Sequence, residues 1–164
     1  MERSFRQVLI SMLLSTIFSS LALAQQGGLG DASHQKDSAT YRHLLDNRSA
    51  IKRNVIMRED GVETITESDS PEITAKIREH VHAMKGRIED IRPIHMRDPL
   101  FAAIFENAQT INLEVQNTDR GVRVMETSTH PYVVKLIQEH AKVVSNFIQY
   151  GYEEVRKNHE LPTR

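Results

Sequence analysis

The chain has 164 residues, with 21 lysines and arginines against 22 aspartates and glutamates, a formal net charge of −1 and no cysteine. That length suits one compact domain with a real core, and the balanced charge, with no basic run interleaved with aromatics, excludes nucleic acid as a partner. The absent thiol excludes covalent c-type haem, iron–sulfur clusters, a cysteine nucleophile and a disulfide framework, so the domain must fold by burial alone.

In chain order, residues 1–24 have the form of an export signal. Two arginines stand in MERSFRQ, the apolar stretch VLISMLLSTIFSSL follows, and Ala22-Leu23-Ala24 places small residues where a signal peptidase reads, so cleavage is expected after Ala24. Ser11, Ser15, Ser19 and Ser20 interrupt the run, which falls short of the ~20 apolar residues of a membrane span, and none is expected once the signal is removed. No cysteine follows the small residues, which excludes a lipoprotein. Export without disulfides suits a bacterial periplasmic or secreted protein. Residues 25–36, QQGGLGDASHQK, read as a flexible leader, and Gly28-Leu29-Gly30 has no strand before it to make a phosphate loop. Residues 37–164 are expected to form one domain.

That domain reads as two repeats, 38–97 and 98–158. Sliding the sequence by sixty positions without a gap sets Asn47 on Asn107, Gly61-Val62 on Gly121-Val122, Pro71 on Pro131, Ile77 on Ile137 and Glu79-His80 on Glu139-His140. Tyr41 meets Phe101, and Leu44 meets Ile104. Shared identities and shared periodicity without an indel point to an internal duplication.

Each copy reads as helix, strand, strand, helix. Tyr41, Leu44, Leu45 and Ile51 recur at helical spacing, as do Phe101, Ile104, Phe105 and Ala108 behind an Asp98 cap and Pro99. NVIMRE and VETITE flank Asp60-Gly61, and LEVQN and VRVME flank Asp119-Arg120-Gly121, so two hairpins are expected, with each glycine supplying a positive φ in the turn. Closing helices start at Ser70-Pro71 and near Thr129-Pro131, striped by Ile73, Ile77, Val81, Met84 and Ile88 in the first and by Val133, Ile137, Ala141, Val144 and Ile148 in the second. The expected fold is α+β: a four-stranded antiparallel sheet made by pairing the two hairpins, packed against helices and pseudo-twofold symmetric, because each half leaves an apolar face that the other completes.

His80 and His140 fall about 20° to the same side of Ile73 and Val133 on the helical wheel, close to the centre of each stripe, and are expected to be buried. His82 points the opposite way and is expected in solvent. Two imidazoles in an apolar setting are candidate ligands for a transition metal or a non-covalent haem. They read also as core histidines bonded to a backbone or carboxylate partner, or as proton-responsive groups. His43 aligns with Ala103 and so lacks a counterpart, and His95-Met96 would offer a soft copper site in the RPIHMRDP loop. No serine elbow, zinc-protease helix or phosphate loop is present in the sequence, and no catalytic residue is assigned.

The stretch ETSTHPYVVKLIQEHAKVVSNFIQYGYEEV, with its echo TESDSPEITAKIREHVHAM, resembles an uncharacterised group of small secreted bacterial proteins. The resemblance covers most of the mature chain and implies export, with no activity or ligand attached. The sequence therefore points to an exported binding or accessory domain, the rivals being a periplasmic enzyme and a structural, protein-interaction module; its protein or small-molecule partner stays open.

Overall fold

The computed structural model describes residues 32–164. The expected signal, 1–24, and the leader as far as residue 31 lie outside the described residues. The chain divides into two units, Met1–Ser38, of which 32–38 are helical, and Ala39–Arg164.

The larger unit is α+β. Residues 39–46 are helical (α1) and a 3-10 turn, Arg48–Ala50, leads into β1 (Ile51–Arg58) and β2 (Gly61–Ser68); α2 follows at Pro71–Glu89. The same order then recurs: α3 (Pro99–Glu106), a 3-10 turn at Ala108–Thr110, β3 (Asn112–Asn117), β4 (Gly121–Thr127) and α4 (Pro131–Tyr150), with a short α5 (Tyr152–Val155) closing the chain. The strands form one antiparallel sheet in the order β1-β2-β4-β3, so the two hairpins join through their second strands.

The register of that join is symmetric. Gly61 opposes Thr127, Glu67 opposes Gly121, and Thr64 opposes Val124, its own partner sixty residues on. Just outside the strands, the Ser68 amide donates to the Arg120 carbonyl and the Ser128 amide to the Asp60 carbonyl, both at 2.9 Å. Close approach here explains the two glycines better than turn geometry does. A β-carbon on Gly61 would stand 1.9 Å from the Glu126 carbonyl oxygen, and one on Gly121 would stand 1.9 Å from that of Thr66. Gly61 has φ +156°, but Gly121 lies outside the positive range, so the expectation of a turn glycine in each hairpin is corrected: both are first residues of central strands, where no side chain fits.

Helices α2 and α4 lie on one face of the sheet, each chiefly over the other half's central strand. Ile73 and Ile77 of α2 pack with Val122 and Val124 of β4, and Val133 and Ile137 of α4 pack with Val62 of β2. Val62, Val122, Ile77 and Ile137 are all 2% exposed or less, and burial of such side chains contributes roughly 1.5–3 kcal/mol each. The polar contacts are crossed as well. Arg78 of α2 donates to the carbonyls of Thr118, Asp119 and Gly121, and Gln138 of α4, sixty positions on, donates to those of Arg58 and Gly61. A third cluster, with Leu45, Leu100, Ile104, Leu136 and Phe147, joins α1, α3 and α4.

Three boundaries differ from the sequence reading. Ile51 begins β1 and Ala108 lies in a 3-10 turn, because each opening helix stops one residue before its asparagine: the Asn47 and Asn107 side chains donate back to the carbonyls of His43 and Ala103, ending the helical ladder. The cap of α4 is His130 and makes no side-chain bond, unlike Ser70 and Asp98, whose side chains accept from Ile73 and Leu100. Proline at the first position starts all three helices.

Candidate functional site

Strand parity places two charges on the covered face of the sheet. Along β1, Arg53 shares the inward phase of Ile51 and Val55, and along β4, Glu126 shares that of Val122 and Val124. They line a cavity of about 140 Å³ between the helices and the sheet. Met84, Ile88, Phe101, Leu113 and Val144 supply its apolar walls, and Thr64, Thr66 and His140 complete its polar side. A second cavity, about 90 Å³, adjoins it, and Arg53, Thr66, Val81 and Val144 line both. Positions sixty residues apart wall the two: Tyr41, Leu44, Leu45 and Ile51 the smaller, and Phe101, Ile104, Phe105 and Ile111 the larger.

The symmetry fails where the polar groups sit. Arg53 corresponds to Leu113 and Glu126 to Thr66. Arg53 Nη1 donates to Thr66 Oγ1 at 2.7 Å, while its Nε is buried with no hydrogen-bond partner. Burial pushes the guanidinium down to about 10, against an opposing pull from the Glu126 carboxylate. His140 Nδ1 is also buried without a hydrogen bond; the nearby Glu126 Oε2 is 3.9 Å away, beyond hydrogen-bond reach.

The candidate ligand histidines have different surroundings. His80 stacks on Tyr41 with centroids 5.8 Å apart, and His140 meets the edge of Phe101 at 5.2 Å; Phe147 stands 6.0 Å from both Tyr41 and Phe101. His140 reaches the larger cavity, and His80 is on the wall of neither. Both are half-buried, not buried, because their offset from the stripe turns the rings toward the flanking helices α1 and α3 instead of the sheet. His82 is exposed, as its phase requires, and lies 3.0 Å from Asn117 Oδ1. His43 Nε2 lies 3.2 Å from Glu72 Oε1. His95 and Met96 diverge: the imidazole turns inward to the edge of Phe101 at 4.8 Å, and the thioether is 45% exposed. Among the described residues no group of three or more His, Asp or Glu side chains is arranged to hold a metal ion.

A second polar cluster fastens the C-terminal segment. Asp98, fully buried, caps α3 and lies 2.5 Å from His159 Nδ1, whose Nε2 is 3.2 Å from Glu154 Oε1. Bonds from Lys157, Asn146 and His159 hold the Glu154 carboxyl down to about 2, that from Lys157 having the largest effect. Both ring nitrogens face carboxylates, so the cluster joins the C-terminal segment to the start of α3 as a clasp. Sequence reasoning passed over His159 because a tail without periodicity carries no local signal. Arg53 and Glu126 did carry one, as charges in the apolar phase of alternating strands.

No family model matches the chain, and neither a curated protein nor a solved structure matches it.

Proposed function

We propose that this chain is an exported binding module that holds one small, mainly apolar molecule in the cavity between α2, α4 and the sheet. The observation that carries the reading is an apolar-walled cavity bearing two buried polar atoms, Arg53 Nε and His140 Nδ1, that the protein leaves unbonded. Buried polar groups are nearly always satisfied, and a bound ligand is one way to satisfy these. The size limits the occupant, since a dry cavity of ~150 Å³ accommodates benzene, and a haem is several times larger. Export rests on the form of residues 1–24 and on the resemblance to secreted proteins.

Thermal unfolding of the mature chain with small aromatic and aliphatic compounds tests this directly, because a ligand of the folded state raises the midpoint by mass action. Val144 lines both cavities, and Val144→Phe places a ring where they meet and obstructs both. Stabilisation of wild type that disappears in the obstructed variant supports the site. Stabilisation by copper, zinc or haem alone, lost in His80→Gln or His140→Gln, would replace it with the histidine-ligand reading.

A further inference from the structure

Resting on that cavity reading, we propose that the ligand is a monocarboxylate of about ten non-hydrogen atoms, its carboxylate seated on Arg53 where the two cavities meet and its apolar body lying along Val81 and Val144. Several observations converge on this chemistry. The Thr66 hydroxyl takes Arg53 Nη1 and fixes the plane of the guanidinium, leaving the unbonded Nε on the edge that binds a carboxylate side-on. The smaller cavity also carries Arg48 and no acid, so its polar end is cationic, whereas Glu126 and His140 line only the larger one.

Glu126 does not take the place of the ligand. Arg53 pairs with Thr66 and Glu126 with Val62, so their backbones stand four residues apart along β2 with the Thr64–Val124 row between them, and the Glu126 carboxylate acts on the guanidinium through space while leaving Nε unbonded. An anion at Arg53 takes the Nε hydrogen bond that Glu126 does not make. The apolar walls complete the selection: they suit an alkyl or aryl body and disfavour a polyanion, whose additional charge they would leave unsolvated. The duplicate supports the assignment by contrast, since Leu113 stands where a second such arginine would be.

Calorimetric titration of the mature protein with octanoate and benzoate, beside octan-1-ol and benzyl alcohol, separates the two levels of inference. The acids are expected to bind about 10- to 100-fold tighter than the matched alcohols, the worth of a charge-assisted hydrogen bond. Arg53→Met should erase that preference and keep alcohol binding, and Arg53→Lys should keep part of it. Should Arg53→Met fail to fold, the Arg53 side-chain Nε–H resonance in wild type, which must shift on adding octanoate, decides the same point. Equal binding of acids and alcohols, lost for both in Val144→Phe, would overturn the carboxylate and leave the cavity standing. Binding of none of the four would overturn both.

Discussion

Arg53→Met should stabilise the ligand-free protein. Burial lowers the guanidinium from its ordinary value to about 10, which corresponds to a desolvation cost on the order of 3 kcal/mol. For a base whose folded value is depressed, this cost is full below about pH 10 and vanishes only above the ordinary arginine value, so it is present throughout the neutral range. Methionine removes it. The variant loses the Nη1 bond to Thr66, about 1 kcal/mol, and gains a flexible apolar side chain against Val81 and Val144. The expected net is about 1–2 kcal/mol of added stability, or a midpoint some 3–6 °C higher. Urea unfolding at pH 7, followed by circular dichroism, measures it. A loss of 1 kcal/mol or more would refute the reasoning, since it would mean that the guanidinium already has a stabilising partner and awaits none. A site kept at a cost to stability is what a binding role predicts.

Gly121→Ala should cost more than about 3 kcal/mol, because its β-carbon meets the Thr66 carbonyl at 1.9 Å and the central strands cannot part without breaking the sheet; thermal denaturation checks it. Separate fragments 39–97 and 98–164 should show no cooperative unfolding, since α2 and α4 each pack on a strand of the other half; a defined urea midpoint in either alone would argue for independent halves. His159→Ala should cost about 2–4 kcal/mol by stranding the buried Asp98 carboxylate, and Asp98→Asn should restore part of it in the double variant. Glu154, held below the usual carboxylate range, contributes stability that is complete above about pH 4.5 and is lost as pH falls through about 2; an acid titration of Glu154→Gln should lack that component.

The architecture was legible because its signals are periodic. Alternation in VETITE and VRVME located β2 and β4, and Ser70-Pro71 and Asp98-Pro99 marked helix starts whose caps form as read. His80 and His140 share a phase on their helices and each meets the aromatic residue of its own half, Tyr41 or Phe101, yet only His140 reaches a cavity wall. Their exposure was misjudged, because a wheel gives direction on one helix and cannot show that α1 and α3 flank it. The crossed packing of α2 on β4 and α4 on β2 was likewise hidden, since no local pattern records which strand a stripe will meet. Arg53 and Glu126 were overlooked for the opposite reason: comparison of the copies drew attention to what they share, and the cavity's polarity lies where they differ, at Arg53 against Leu113 and Glu126 against Thr66.

Methyl-resolved NMR of the mature protein during a titration with octanoate tests the internal binding site most directly. The expected result is saturable shifts at Val81, Met84, Leu113 and Val144 on the cavity walls, with Ile56, an outward residue of β1 that is 45% exposed, unmoved. Shifts confined to Ile56 and Met125 on the open face of the sheet, or no saturable shift anywhere, would contradict it.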